Sequence, residues 1–432
     1  MSSQAKGQAG AANVVRVVSG NFLEMYDFMV YGFYASSIAK AMFPSDNEFV
    51  SLMLALATFG MGFLMRPLGA IVLGSYMDRH GRRAGLILTL SLMSAGVLMI
   101  AVTPTYASIG LLAPVLVIVG RLLQGFSAGA ESGGVSVYLS EIAPPGRRGF
   151  YVSWQSASQQ VSVLLAAVLG VALRFTLTSE QMTAWGWRIP FLLGCSIVPV
   201  LFWIRRSVAE SHAFKAQKPQ SAGEIFSSLA RSWRIILWSM MLVSLTSIMF
   251  YLITAYTPTF GRAELGLKPI DTFYVTTCVA LTTFVMIPVM AAVSDRIGRR
   301  PLLIGASLTI AIVAYPAMTW LVAAPSFMSL LLVEVGFAFL YASYQAALVV
   351  TLTEIIPANV RGTGFSLAYS LSQAVFGGFT PAICTALIHV TSNKAMPGVW
   401  LSLGALFALL ATLVIVRSDR QPADEVSARV AS

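Results

Sequence analysis

Two carboxylates, Glu24 and Asp27, stand inside an apolar run that extends from Val17 to Ala39, between Arg16 and Lys40. At 23 residues the run is long enough to cross a bilayer as one helix. At about 100° per residue, Glu24, Asp27 and Tyr31 fall within roughly 60° of one another, on one face. An acid at that depth costs about 2.5–3.5 kcal/mol to insert, so the pair must face protein or water rather than lipid. The pattern predicts a proton or ion site. Asp27 lies deeper and is placed first as proton carrier; Glu24 either shares that task or pairs with a cation at the inner end.

Arg121 is the second buried charge with chemistry to offer. A guanidinium is permanently charged and presents five donors in a planar fork, which suits a carboxylate. Arg121 precedes Glu141 by 20 residues and Asp27 follows Arg16 by 11, depths of roughly 30 and 16 Å along their helices. Tilt narrows that gap, so contact between Asp27 and Arg121 is open on geometry alone. Arg66, just before Pro67 near the inner end of its run, reads as a structural anchor. Arg121 is then the one in-span cation set to face a cavity, which is little positive charge for a polyanionic ligand.

Polar residues without charge complete the candidate site. Gln124 shares the Arg121 helix, with Glu131 seven residues further on the same face as a second protonatable group or a helix–helix partner. Gln155 and Gln159 follow at helical spacing; Tyr251 and Tyr256, Tyr344 and Gln345, and Tyr369 and Gln373 stand in later apolar runs. Glu334 shares a face with Tyr341 and Gln345, as a cavity wall or as interhelical packing. Amides and phenols can donate hydrogen bonds without adding charge. Membrane helices also use such groups for interhelical hydrogen bonds worth about 0.6 kcal/mol each, and both readings stand.

The elements that hold these residues follow from composition. The chain has 432 residues, 57% of them hydrophobic and 11% charged, with a mean hydropathy of +0.77. Soluble domains carry about 25% charged residues, so this is a polytopic membrane protein. Apolar runs fall at 17–39, 49–74, 84–103, 109–139, 150–174, 188–204, 235–258, 272–294, 301–321, 326–352, 363–390 and 396–416. The expected fold is all-α, with twelve transmembrane helices in two pseudo-symmetric six-helix bundles, 1–204 and 235–417. A cytoplasmic linker, 205–234, joins them, and a tail follows at 418–432.

Of 28 Lys and Arg, 20 fall in the termini and even-numbered loops, the bias that places both termini in the cytoplasm. The net charge of +10 therefore reports topology rather than nucleic-acid binding. The polar N-terminus shows no cleavable signal pattern. Three dispersed cysteines and three isolated histidines predict neither disulfides nor a metal site. No nucleotide-binding loop is present, no cofactor is expected, and no nucleophile–base set argues for an enzyme.

The two halves repeat each other. Asp78-Arg79-His-Gly-Arg82-Arg83 recurs as Asp295-Arg296-Ile-Gly-Arg299-Arg300 at an offset of 217. Glu141 with Arg147-Arg148-Gly149 recurs as Glu354 with Arg361-Gly362, Glu to Glu at 213. Two motif pairs at nearly equal offset indicate a parallel duplication. These surface charges suit gates, with the acids meeting helix N-termini or arginines across the halves.

Gly74-x-x-x-Asp78-Arg79-x-Gly81-Arg82-Arg83 resembles the loop 2–3 motif of the major facilitator superfamily, and Arg121-Leu-Leu-Gln124-Gly125 its span-4 motif. The Glu-x-x-Pro…Arg-Gly elements are similar to those of its sugar porters. Glu24-Met-Tyr-Asp27-Phe, Arg66-Pro-Leu-Gly69 and Trp185-Gly-Trp-Arg-Ile-Pro190 resemble the metabolite:H+ symporter family. Gly125-Phe-Ser-Ala-Gly129, Val135 to Glu141 and Trp154 to Gln160 look like its citrate- and tricarballylate-transporting members.

The resemblance implies a monomeric transporter in the cytoplasmic membrane that couples a small carboxylate to protons. The sugar-porter likeness also favours pairing of the span-1 acid with the span-4 arginine. A substrate carboxylate that takes Arg121 would then release Asp27 to bind a proton. A static ion pair that holds helices 1 and 4 together is the other reading of the same pair.

Overall fold

The computed structural model describes residues 20–80, 82–129, 132–206, 232–356 and 361–416, with Val14 and Val18. The described residues are helices and short connections, without a β-strand. In chain order the helices are α1 (Gly20–Phe33), α2 (Ala35–Met42), α3 (Glu48–Leu64), α4 (Arg66–His80), α5 (Arg82–Val102), α6 (Leu112–Ala128) and α7 (Ser132–Ile142). They continue as α8 (Arg148–Thr176), α9 (Arg188–Arg206), α10 (Trp233–Tyr251), α11 (Thr257–Ala263), α12 (Pro269–Ile297) and α13 (Arg299–Ala323). The last four are α14 (Phe327–Ile355), α15 (Arg361–Ser372), α16 (Thr380–Thr391) and α17 (Met396–Ile415). Every apolar run read from the sequence falls on one helix or an end-to-end pair, within a few residues. Most of the linker, the tail, the first 13 residues and Glu131 lie outside the described residues.

Among the described residues eight helices are long and apolar enough to cross a membrane. Three shorter apolar helices, Ile87–Val102, Leu112–Ala128 and Arg188–Pro199, accompany them. Helices form because, away from water, each backbone N–H and C=O must be satisfied within its own segment. Large apolar side chains such as Ile312 (64% exposed), Leu332 (58%) and Val414 (54%) point outward, where hydrocarbon replaces water.

Glycine sets the closest approach between helices. A Cβ on Gly125 of α6 would stand 1.5 Å from the Gly62 carbonyl of α3, and one on Gly129 would stand 2.0 Å from the Arg66 carbonyl. The small-x-x-x-small spacing of Gly125 and Gly129 thus brings α6 against the α3–α4 pair, backbone to backbone. That approach carries Arg66 and Arg121 into one neighbourhood.

Several rods are interrupted at the depth of the polar residues. Tyr34 separates α1 from α2 with φ −106° and ψ 14°, and Met65 separates α3 from α4. A π-helical turn, Leu252–Tyr256, joins α10 to α11, and another, Gln373–Gly377, follows α15. Such turns shift side chains out of helical register and often occur at functional positions.

Candidate functional site

The face of α1 that bears Glu24, Phe28 and Tyr31 points at two buried arginines. Arg66 is 3% exposed and Arg121 fully buried. Their guanidinium carbons lie 4.5 and 4.4 Å from the centre of the Phe28 ring, so they are at most about 9 Å apart. Phe63 takes Arg66 on its face at 4.6 Å, while Tyr31 and Phe59 take Arg121 at 4.7 and 5.0 Å. Aromatic faces stabilise a cation without neutralising it, which leaves the positive charge available.

Polar partners fill only part of each guanidinium fork. Arg121 donates from Nη1 to Gln124 Oε1 at 2.8 Å and from Nη2 to the Phe59 carbonyl at 3.1 Å. Arg66 Nη2 forms an ion pair with Glu24 Oε1 at 3.0 Å, both side chains almost wholly buried. The Nε atoms of both arginines, Gln124 Nε2 and the Tyr251 hydroxyl are buried without a hydrogen-bond partner. Tyr251 belongs to this cluster, since its ring lies edge-on to Phe59 and Phe63 at 5.8 and 5.1 Å. Unsatisfied buried donors are rare in proteins, and these four belong to the cluster of Arg66, Arg121, Phe59 and Phe63.

Arg66 is the site residue that reading the sequence missed as a site member. Its position near the end of an apolar run suggested an anchor, yet the signal was present. A buried acid such as Glu24 requires a buried cation, and Arg66 and Arg121 are the two that the apolar runs offer. Phe28 carried a signal as well, four residues after Glu24 and on its face.

Asp27 and Arg121, expected as partners, form no ion pair. Asp27 is fully buried, and neither of its carboxylate oxygens has a hydrogen-bond partner. Its Oδ1 stands 2.9 Å from the place a Cβ on Gly194 would occupy, against α9. The reason is angular: Asp27 and Phe28 diverge by about 100° around α1, so one turns toward α9 while the other meets the arginines. Tyr26 donates to the Pro190 carbonyl at 2.9 Å and anchors the same contact. The tryptophan–arginine motif holds α9 in place, with Arg188 Nη2 donating to the Thr103 carbonyl at 2.9 Å.

The remaining candidates divide. Tyr31 is buried beside Arg121 and donates to the Ala55 carbonyl at 3.3 Å. Gln345 joins the two parts of the chain: its Nε2 donates to Ser156 Oγ at 2.9 Å and its Oε1 accepts from Thr246 at 2.5 Å. Gln373 Oε1 is buried without a partner, and both it and the Tyr251 ring crowd Gly377. Gln155 Oε1 accepts from Ser156 at 3.2 Å, and Gln159 is buried on the same helix. Tyr344, in contrast, donates to the Leu242 carbonyl at 2.7 Å, a helix–helix contact. Glu334 accepts from Thr257 at 3.0 Å across α14 and α11, interhelical packing that leaves Oε2 unpartnered.

The two ends of the bundle differ. At one, Asp295 accepts from the backbone N–H groups of Gly149 and Phe150 at 2.9 and 3.0 Å, capping the N-terminus of α8. Arg299 bridges Asp295 at 2.7 Å and Glu354 at 3.6 Å. A Cβ on Gly149 would lie 2.8 Å from Asp295 Oδ1, so glycine is needed there. Arg361 donates to the Ile356 carbonyl at 3.3 Å. Glu141, Arg148 and Arg296 are exposed, and Arg300 is half-buried. Asp78, Arg79, Arg82 and Arg83 have helical backbone, and their side chains lie outside the description.

At the other end a vestibule of about 770 Å³ opens between α2, α3, α11 and α16. Lys40 and Glu48 pair there at 3.2 Å, and Phe49 stacks on His389 at 3.8 Å.

Comparison with known proteins agrees with this architecture. The family model described as sugar (and other) transporter matches residues 12–220 and 203–428. A citrate-proton symporter of Salmonella typhi is 53% identical over 409 residues, covering 94% of each chain. One of Klebsiella pneumoniae is 53% identical over 412 residues, 95% of this chain and 93% of the relative. An alpha-ketoglutarate permease of Escherichia coli is 33% identical over 94% of each chain. The fold matches the xylose transporter XylE from E. coli, in a partially occluded inward-open conformation, at a TM-score of 0.77 and 18% identity. That match covers 95% of this chain and 98% of the other. With these matches over nearly its whole length, the chain belongs to the sugar (and other) transporter family of the major facilitator superfamily, a multi-pass protein of the cytoplasmic membrane.

Proposed function

We propose that the protein is a secondary transporter that imports a tricarboxylate, citrate foremost and tricarballylate as a close analogue, together with protons. The observation that carries this reading is the pair of buried arginines on Phe28, with four unsatisfied buried donors on them, Gln124 and Tyr251. Carboxylate oxygens are the acceptors such donors lack. The 53% identity to citrate-proton symporters supports the substrate class.

Charge accounts for the coupling. Two buried arginines face one paired acid, Glu24, while Asp27 stands apart against α9. A trianion entering a negative-inside cell works against about 2.3 kcal/mol per charge per 100 mV. Compensating protons remove that obstacle. In our reading a substrate carboxylate takes Arg121 and a second competes with Glu24 for Arg66. Glu24, released into an apolar setting, binds a proton because burial disfavours a lone carboxylate. Asp27, with no donor on either oxygen, is the second proton site. Gln124, Tyr31, Tyr251, Gln345 and Gln373 orient the substrate.

The same reading assigns twelve crossings in two six-helix halves, with both termini and the Asp295–Arg299–Glu354 cluster on the cytoplasmic side. The vestibule then faces outward, and the present state is closed inward. The working unit is a monomer. Uptake of labelled citrate, tricarballylate and a dicarboxylate into proteoliposomes, with and without an imposed pH gradient, tests the proposal. Gradient-driven accumulation of a tricarboxylate is expected. Accumulation of the dicarboxylate alone would replace the substrate, and uptake indifferent to the gradient would remove the coupling.

A further inference from the structure

A second cationic site lies at the vestibule, well away from Phe28. Arg174, in the last turn of α8, and Arg262, in the last turn of α11, line one recess of about 20 Å³. That is room for a single water or one carboxylate oxygen. Arg262 and Ser36 line both this recess and the large vestibule, so the recess opens from the vestibule wall. The two arginines come from opposite sides of the linker, one from residues 20–206 and one from 232–416.

Neither arginine has a carboxylate partner among the described residues. Arg174 Nε is buried without an acceptor, and the Tyr34 hydroxyl, 1% exposed, is equally unpartnered. Of the acids lining the vestibule, Glu48 is taken by Lys40. Glu264, two residues after Arg262, forms no ion pair among the described residues, and its backbone carbonyl accepts from Lys394. Two like charges therefore line one water-sized hollow, Arg262 exposed and Arg174 half-buried with its Nε unsatisfied. An anion would complement both.

We propose that Arg174 and Arg262 form an outer docking site for one carboxylate of an anionic substrate, whose remaining groups lie in the vestibule before it descends to the arginines around Phe28. This rests on the carboxylate-import reading above. A carboxylate bridging the two arginines also removes the repulsion between them and draws α8 and α11 together behind the substrate. A purely structural role would use the two side chains only to complement the C-terminal carbonyls of their helices.

Initial rates of citrate uptake by the full-length protein in proteoliposomes separate the two roles. For Arg174→Gln and Arg262→Gln the KM for citrate should rise about tenfold, with kcat within twofold and thermal stability unchanged. Arg→Lys variants should recover most of the affinity. An unchanged KM, or a lowered stability with unchanged KM, overturns the proposal. A second arm measures stabilisation of the protein against heat by citrate, relative to sodium chloride of equal ionic strength, in Arg121→Lys. Residual stabilisation that disappears in Arg121→Lys with Arg174→Gln and Arg262→Gln supports the outer site even if wild-type citrate transport, and with it the import reading, fails. Residual stabilisation that persists without Arg174 and Arg262 refutes the site.

Discussion

The Glu24–Arg66 pair makes opposite predictions for its two members. In the ion pair, Nη2 and Oε1 stand 3.0 Å apart with side chains 4% and 6% exposed. Arg66 also lies 4.5 Å from the centre of the Phe28 ring and 4.6 Å from that of Phe63. If Arg66 receives a substrate carboxylate, Arg66→Gln removes one charge-assisted contact worth about 1.5–3 kcal/mol, a loss of roughly 10- to 150-fold in citrate affinity. Glu24 competes for the same guanidinium, so Glu24→Gln removes a competitor. Citrate should bind that variant more tightly, by up to about tenfold, and less dependently on pH.

Both single variants should lose stability, because removing one partner of a buried pair costs about 3–5 kcal/mol through the charge left behind. The double variant should recover most of that loss. Calorimetric titration of citrate into the detergent-purified protein at several pH values, beside thermal unfolding of the four forms, reads both signs. Equal loss of stability in the two single variants with citrate affinity within twofold of wild type would refute the reasoning and make the pair a static brace.

Other outcomes follow from particular contacts. Asp27→Asn should abolish pH-gradient-driven accumulation while citrate exchange across the vesicle membrane continues, since Asp27 touches neither arginine; counterflow beside net uptake measures this. Asp295→Asn should weaken the cap on Gly149 and Phe150 and the bridge to Arg299, by about 1–2 kcal/mol. That shift toward opening at this end should appear as faster labelling of a cysteine introduced near Phe150. Gly125→Ala places a methyl 1.5 Å from the Gly62 carbonyl, so the helices must part. Loss of folded protein in size-exclusion chromatography is the expected result, whereas a neighbouring exposed change such as Val119→Ala should be tolerated.

Much of the architecture was legible in one dimension because a bilayer makes hydrophobic length a direct constraint. Each apolar run became one helix or two in line, and the glycines at small-x-x-x-small spacing became points of backbone contact. The buried charges were equally plain, since Glu24, Asp27, Arg66 and Arg121 interrupt apolar runs at a cost that demands a purpose. Repetition marked the Asp295 motif as a candidate gate element, and Asp295 stands at the N-terminus of α8.

Pairing was a different matter. Sequence periodicity resolves a helix face to about 60°, and within that arc Asp27 meets α9 while Glu24 meets an arginine. Which acid finds which cation depends on the approach of α6 to the α3–α4 pair and on the break at Met65. Those are set by contacts among residues about 60 positions apart. Tyr344 and Gln345 show the same limit, adjacent in the chain yet facing Leu242 in one case and Ser156 in the other. The sequence by itself therefore determined that opposite charges are buried in apolar helices. Only the tertiary structure decided that Arg66 and Arg121 share Phe28 and leave Asp27 apart, because helix rotation and close packing, not spacing along the chain, select a buried charge's neighbours.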